Sequence, residues 1–460
     1  MIKHYARLGL VPAYLLLCLI LGGASAAGIW GNMLLQLLAI PIIVWSLVAK
    51  RSGPMAPSAR QLIILLLLAA AWVALQLVPL PPSLWTQLPG RESIARGFEL
   101  LGQPLPWMAI SLAPYKTISS ALWLLPAVAV LLGILRLGNF KSSWIAWAII
   151  AVAIVSVVIG GLQLVGGKGS PWYFYQVTNY GSTTGFFSNA NHFATLLVVT
   201  LPFLAALYLT GRSRGGSLQR SSGLFVLLAG AVTVVLVGIG TNRSIAGLGL
   251  SVPVLAGSAL MILSRKRRLP AWSAGIVLIL VLGSIALAFS APFQNNLTGE
   301  EARSTQSSRY TSFTRSLDAT ADYLPLGSGV GTFPEIYPQY EDPNVVNRFY
   351  MNHVHGDYIE LALETGVPGL ILILLFLIWW LRRSIGVWRS DEPDYFARAA
   401  TIASAAILAH SVVDYPLRTA AVSALLAMCC ALMAEPRART KRRRGSETEP
   451  AAQARHLDAD

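Results

Sequence analysis

The sequence predicts an all-α polytopic membrane protein. Of its 460 residues, 55% are hydrophobic and only 12% are charged. Soluble domains carry about 25% charged residues, which excludes a soluble globular class. Apolar runs of about 20 residues match the hydrocarbon thickness of a bilayer. Twelve such runs are predicted to span the membrane: 9–28, 30–49, 61–80, 119–136, 143–165, 191–211, 222–240, 244–263, 271–290, 356–381, 396–412 and 417–434.

Basic residues predict the orientation of these spans. With both termini in the cytoplasm, most of them fall on cytoplasmic loops and tails, including the runs 265–268 and 441–444. Loops rich in Lys and Arg remain cytoplasmic. The net charge of +14 therefore reflects topology and attraction to membrane lipids, and it does not indicate nucleic acid. Residues 3–27 also resemble a secretory signal, although their retention as the first span is favoured.

The predicted membrane domain covers residues 1–434, and two of its outer loops are long. Loop 81–118 is rich in proline and is predicted to be irregular. Loop 291–355, between spans nine and ten, is large enough for a small cap. Within it, residues 305–323 look helical, with Tyr310, Phe313 and Leu317 spaced to form one apolar face. The tail, 435–460, is basic and then acidic without periodic apolar residues, which predicts a disordered cytoplasmic segment.

A glycine-rich stretch at 326–332 allows two interpretations. Glycines at this density occur in nucleotide-binding loops, but no strand–helix–strand unit surrounds them, and they lie on the outer face. A tight turn that returns the cap helix to the membrane is the favoured interpretation. The cysteines Cys18, Cys429 and Cys430 all fall within predicted spans, so a structural role is favoured over a disulfide or a zinc site.

Polar residues at the outer ends of several predicted helices indicate a site for an anion. Helix N-termini present free N–H groups and the positive end of the helix dipole. Arg243 begins one such helix, and Arg309 lies above it in the cap. Their guanidinium groups suit a phosphate. An anionic, phosphorylated ligand reached from the outer leaflet is therefore predicted.

Each of these polar residues also has a purely structural interpretation. Arg243 could extend its side chain to the membrane interface. Arg309 and Arg315 could be solvated charges on the cap helix. Asn189, Asn191 and His192 could cap a helix without taking part in binding. These alternatives stay open at the level of sequence.

The most informative stretch is the mouth of the span that begins near residue 356. It holds His353, His355, Asp357, Glu360 and Glu364. Ionisable groups at this depth are costly and usually mark a functional site. The carboxylates fall on one helical stripe, where pairing with a neighbouring helix is the alternative for each. Histidine is suited to taking a proton from a hydroxyl near neutral pH, so His355 is the candidate general base.

These residues resemble the signature of the O-antigen ligase and O-antigen polymerase family of bacterial inner-membrane glycosyltransferases. The family pattern is a histidine, a small polar residue, nine residues and then Gly-x-x-Gly. Here it reads His355, Gly356, 357–365 and 366–369. Gly356 replaces the usual Asn, Ser or Gln, and Leu370 replaces the usual Ser or Thr. The stretch 184–193, Arg243 and the turn 325–333 are similar to further family elements.

The resemblance implies a GT-C-like fold and a glycan transfer at the periplasmic face that needs neither metal nor cofactor. The donor would be a glycan on undecaprenyl diphosphate, and the acceptor a lipid A-core or a growing glycan. Arg243 and Arg309 would hold the diphosphate. His355 would take the proton of the attacking hydroxyl, supported by His353, while the deep carboxylates, including Asp357, would tune this pair.

Several functions remain compatible with the sequence. A ligase is favoured over a polymerase of O-antigen or exopolysaccharide repeat units, which uses the same donor. Transfer of a glycan to protein is a smaller alternative. A transporter or flippase is the competing class, but a major-facilitator architecture predicts two similar six-span halves joined by a long cytoplasmic loop. The loop between predicted spans six and seven, 212–221, has only about ten residues.

Overall fold

The computed structural model describes residues 2–25, 29–51, 53–137, 141–212, 218–264, 272–288, 300–341, 343 and 351–435. These residues form a helical bundle with one antiparallel two-stranded sheet, which pairs Pro79 with Ala109 and Leu80 with Met108. The elements in chain order are α1 (Ile2–Leu21), α2 (Trp30–Val48), α3 (Pro57–Leu75), β1 (Pro79–Leu80), α4 (Pro82–Trp85), α5 (Glu92–Leu100), β2 (Met108–Ala109), α6 (Pro114–Trp123), α7 (Leu125–Leu132), α8 (Ser142–Gly166), α9 (Ala190–Arg212), α10 (Leu218–Asn242), α11 (Ile245–Leu263), α12 (Trp272–Ala288), α13 (Glu300–Tyr323), α14 (Phe333–Ile336), α15 (Asp357–Arg389), α16 (Tyr395–His410) and α17 (Ala420–Ala434).

The helices confirm a polytopic all-α membrane protein. Among the described residues, eight helical segments are long and apolar enough to cross a bilayer, and they lie in α2, α3, α6 with α7, α8, α9, α10, α11 and α15. Each of the twelve predicted spans coincides with helical structure. The other four lie in α1, α12, α16 and α17, whose apolar helical segments are shorter, as with Leu8–Leu21 of α1. The count of twelve therefore stays a prediction.

α9 is the central helix of the bundle. It contacts α8, α10, α11 and α16, and nearly all of its residues are buried. α16 and α17 are rich in alanine and pack against each other, with Ala400, Ala403 and Ala424 fully buried. Small residues let membrane helices approach closely. This close packing places the connection between α16 and α17 next to the start of α15.

The N-terminal helix is part of this bundle. Leu15 and Leu19 of α1 are fully buried, and the Tyr14 hydroxyl donates a 2.7 Å hydrogen bond to the Leu35 carbonyl. α1 contacts α8 and α17. The segment that resembles a secretory signal thus supplies core packing. The three cysteines, at 18, 429 and 430, are buried and free, in agreement with a structural role.

α15 is broken at Gly366, the first glycine of the signature motif. Gly366 has φ 60° and ψ −155°, a conformation open essentially to glycine alone. The break frees carbonyl groups, and the glycine-rich turn binds them. Ser328 N donates to the Leu363 carbonyl at 2.9 Å, and Gly329 N donates to that of Glu364 at 3.0 Å. The stretch 326–332 is therefore a turn, and it docks onto the broken helix.

Gly366→Ala is expected to lower the free energy of unfolding by at least about 2 kcal/mol, because it adds both backbone strain and a clash. A Cβ at this position would lie 2.2 Å from the Pro325 carbonyl oxygen. Thermal unfolding of the purified protein in detergent measures the loss. Gly161→Ala in α8 is the matched control, because a Cβ there meets nothing within 4 Å. Equal melting temperatures for the two variants would contradict this account.

Two expectations for the outer loops were wrong in detail. Loop 81–118 is not simply irregular, since it contains α4, α5 and β2 and the first turn of α6. In the cap helix α13, Leu317 is 53% exposed and does not belong to the buried face. Ser312, Ser316 and Ala319 form that face instead, and α13 packs against α15. Small side chains allow the two helices to approach closely.

Candidate functional site

A cavity of about 1940 Å³ runs between the helices at one end of the bundle. Its polar part is lined by the start of α15, the connections α8–α9, α10–α11 and α16–α17, and Lys116 of α6. Its apolar part lies between α3, α7, α15 and α17, where the lining includes Leu62, Leu66, Val73, Leu131, Leu372, Phe376 and Cys430. Along α17, Ser423 and Cys430 both line the cavity, and the seven-residue rise between them corresponds to about 10 Å.

His355 stands at the polar part of this cavity. Its side chain is 20% exposed, and its Nδ1 lies 3.5 Å from Oδ1 of Asp414. The ring also meets the Tyr415 ring edge-on, with centroids 5.0 Å apart. A carboxylate facing Nδ1 favours the tautomer that carries its proton there. That tautomer leaves the Nε2 lone pair available to a hydroxyl.

Asp414 is the centre of a buried polar cluster. Besides His355, it faces His192 Nε2 at 3.9 Å and His410 Nε2 at 3.7 Å, and it accepts a 2.7 Å hydrogen bond from Asn191 Nδ2. Burial alone would raise the pKa of the Asp414 carboxyl. The contact with His355 and the electrostatic influence of the three histidines outweigh burial and hold that pKa well below its usual value. The group is therefore a carboxylate at neutral pH.

Asn191 connects this cluster to Arg243. Its Oδ1 accepts a 2.8 Å hydrogen bond from Ser244, the N-cap of α11. Arg243 precedes that cap and lines the cavity. Asn242 anchors the same turn by donating to the Thr183 carbonyl at 2.8 Å. The amide of Asn191 thus fixes the position of the predicted phosphate-binding turn relative to the carboxylate that faces His355.

Backbone strain coincides with the two residues predicted to be most important. Within the described part of the chain, Arg243 (φ 60°) and His355 (φ 62°) are the non-glycine residues with positive φ. Such conformations cost about 1–3 kcal/mol each and cluster at functional sites, where the surrounding structure holds them. Both turns are held by buried hydrogen bonds. The strain therefore supports a functional role for this pair.

The three carboxylates of α15 bind one cation, Arg418. Asp357, Glu360 and Glu364 are at most 1% exposed and lie 3.7, 3.3 and 3.0 Å from its guanidinium nitrogens. Glu360 also holds His353, whose Nδ1 lies 2.8 Å from Oε1. The predicted helical stripe is thus a paired cluster.

The structure brings most of the predicted site residues together. Those that line the cavity are Asn189, Asn191, Arg243, His353, His355, Asp357, Glu360 and Glu364. Asn189 Oδ1 accepts the Asn191 N–H at 2.8 Å, which is a capping role, and His192 is fully buried behind the cavity. Arg315 is exposed on α13 and is not among the lining residues. The Arg309 side chain lies outside the described residues.

Two residues of the α16–α17 connection were missed from the predicted site. The carboxylate beside His355 is Asp414, whereas Asp357 faces Arg418. A role of Asp357 in tuning the histidines stays a prediction. Asp414 was interpreted only as half of a local pair with His410, and that pair does exist at 3.7 Å. Charged groups at the end of an apolar helix were a usable signal, because such positions are costly.

One comparison with known families bears on this geometry. Residues 229–374 match the family model described as O-Antigen ligase, and this span contains Arg243, His355 and the 366–369 glycine motif. Asp414 and Arg418 lie beyond the matched span. A search of curated proteins found no match to the chain. The match, to a family of membrane glycosyltransferases of the O-antigen ligase or polymerase type, covers residues 229–374 of the 460 and supports the resemblance of this part of the chain to that family.

Proposed function

We propose that the protein moves a glycan from undecaprenyl diphosphate to a hydroxyl of lipid A-core. The reaction takes place at the periplasmic face of the bacterial inner membrane, with both termini of the chain in the cytoplasm. It needs no metal ion, because cations of the chain itself neutralise the leaving group. The observation that carries the proposal is a cavity whose apolar part adjoins the polar cluster around His355. An amphiphile with a long hydrocarbon chain and a polar head matches this division.

His355 is the proposed base in this transfer. The Asp414 carboxylate holds Nδ1, so that Nε2 accepts the proton of the acceptor hydroxyl. The hydroxyl oxygen bonds to the anomeric carbon of the donor glycan as the bond from that carbon to the diphosphate oxygen breaks. The diphosphate leaves with the electron pair. His353 supports this end of the site through its contact with Glu360.

Arg243 is the proposed partner of the diphosphate, together with Arg309 from the cap. Arg243 lines the cavity and makes no ion pair with a described residue, so its charge is available to an anion. The charges of Lys116 and Arg418 are less available to an anion, since Lys116 faces Glu335 and Arg418 faces the α15 carboxylates. A cation fixed before the reaction stabilises charge that develops on the leaving group.

Arg243→Lys is expected to lower kcat/KM about tenfold or more, because lysine loses the planar fork that binds two phosphate oxygens at once. Transfer from a purified lipid-linked donor gives the rate. Arg96→Lys, an exposed position on α5, is the matched control and should be unchanged. A wild-type rate for Arg243→Lys would refute the assignment of the diphosphate to this residue.

The function itself is tested with purified protein and undecaprenyl-diphosphate-linked glycan, with and without lipid A-core, read as a gel ladder. Product that requires lipid A-core establishes a ligase. A ladder that lengthens from donor alone establishes a polymerase of repeat units in its place. Absence of product in both reactions would refute the ligase and the polymerase alike. A protein acceptor or transport would then be tested next.

A further inference from the structure

The rim of the cavity next to Arg243 is built by the α8–α9 connection. Five positions of this connection line the cavity within 176–180, and Lys168 and Ser182 line it on either side. The apolar part of the cavity has a different origin, since it belongs to α3, α7, α15 and α17. The rim combines aromatic, amide and cationic side chains, and the proposed catalytic step uses none of them.

Buried and partly buried hydrogen bonds hold the rim in place. Gln163 donates to the carbonyls of Trp172 and Gly185 at 3.0 and 3.1 Å and accepts from the N–H of Gly185 at 2.9 Å. The Tyr173 hydroxyl donates to the Ser182 carbonyl at 2.9 Å and accepts from the N–H of Gly181 at 2.8 Å. A segment fixed in this way presents its side chains in a set geometry.

Three side chains of the rim are left for a ligand. The Tyr180 hydroxyl donates a 2.9 Å hydrogen bond to the Gln176 carbonyl, and the residue is 43% exposed. The amide of Gln176 makes no hydrogen bond, and Lys168 no ion pair, with any described residue. Both are exposed and line the cavity.

Such a set of groups matches the chemistry of a sugar. One face of a pyranose is made of C–H groups, which pack against an aromatic ring, whose face carries negative charge density. Hydroxyl groups at its edge pair with an amide, which offers both donors and an acceptor. A lysine ammonium binds an acidic substituent such as a phosphate or a carboxylate.

We propose that Lys168, Gln176 and Tyr180 form a saccharide subsite that binds a sugar unit beside the bond being made. The inference rests on the proposed function, and it identifies the residues that bind one sugar unit of the glycan. The sugar belongs either to the donor glycan or to the acceptor oligosaccharide, since both present the same chemistry. Lys168 selects a substrate that carries an acidic group near this unit.

The test measures KM for each substrate with purified full-length protein, undecaprenyl-diphosphate-linked glycan and lipid A-core. Tyr180→Ala is expected to raise one of the two KM values about tenfold, with kcat within about twofold of wild type. The substrate whose KM rises identifies the source of the sugar. Tyr180→Phe keeps the ring and should stay near wild type. Lys168→Gln should raise the same KM, and an unchanged value would remove the acidic group from the proposal.

Phe174→Ala is the matched control. Phe174 is an exposed aromatic residue of the same connection, stacks on Phe186 and is not among the lining residues. An equal effect of Phe174→Ala would assign these aromatic residues to the membrane interface and overturn the subsite. Unchanged KM values in Tyr180→Ala, with wild-type transfer intact, would overturn the subsite alone. Absence of transfer by the wild-type protein would overturn the proposed function, and the subsite with it.

Discussion

Replacing His355 with alanine is expected to lower the rate of glycan transfer by a factor of about 10² to 10⁴, the usual contribution of a positioned general base. Protein abundance and donor KM should remain near wild type. The side chain is 20% exposed and makes no short hydrogen bond to a described residue, so its removal costs little stability. Single-turnover transfer from lipid-linked donor to lipid A-core measures the effect.

His353→Gln is the control that distinguishes which of the two histidines is the base. Both histidines lie at the cavity and both present Nδ1 to a buried carboxylate, Glu360 for His353 and Asp414 for His355. The site therefore contains two oriented imidazoles. A loss of rate confined to His355→Ala assigns the base to His355. A larger loss in His353→Gln, with the protein intact, would exchange the two roles.

Asp414→Asn tests whether the Asp414 carboxylate is needed to orient His355. Asparagine keeps the size of the side chain but removes the carboxylate that faces three histidines and accepts from Asn191. If the carboxylate holds His355 in its reactive tautomer, the rate should fall while donor KM stays unchanged. The same comparison tests whether the link through Asn191 also positions Arg243, because donor KM would then rise.

The membrane spans could be predicted from the sequence because the signal is local. A run of about 20 apolar residues meets the thickness of the bilayer without reference to the rest of the chain. The ends were less certain: α3 ends at Leu75, whereas 80 was predicted, and α6 begins at Pro114, whereas 119 was predicted. At these ends, the strand pairing of Pro79 with Ala109 sets the limits instead of hydropathy.

Half of the candidate site was also accessible to sequence reasoning. The stretch from His353 to Gly366 stands out because charged groups at a helix mouth are costly. Asp414 and Arg418 are some 50 to 60 residues further along the chain. Their contacts with this stretch depend on the close packing of α16 and α17 against the bundle, which no local pattern reveals. The predicted apolar face of α13 was wrong at Leu317 for a similar reason, since small residues form the buried face where α13 meets α15.

Arg418→Gln is expected to lower the free energy of unfolding by roughly 3–5 kcal/mol, the cost of leaving a buried ion pair without one partner. Here three buried carboxylates would lose their common cation. The variant should show reduced abundance and a lower melting temperature in detergent. Arg418→Lys should be intermediate, because a single ammonium cannot reach three carboxylates as a guanidinium does.

A double variant distinguishes pairing from simple packing at Arg418. Arg418→Gln combined with Glu364→Gln removes one unpaired charge and keeps Glu360 for its contact with His353. It should melt above the single variant if the carboxylates are the cause of the loss. Arg398→Gln is the matched control, since Arg398 is also buried but bonds to the Ser264 hydroxyl and the Trp388 carbonyl. Its loss should be smaller. A wild-type melting temperature for Arg418→Gln would show that the cluster is stable without its cation, and the carboxylates would then have to be protonated.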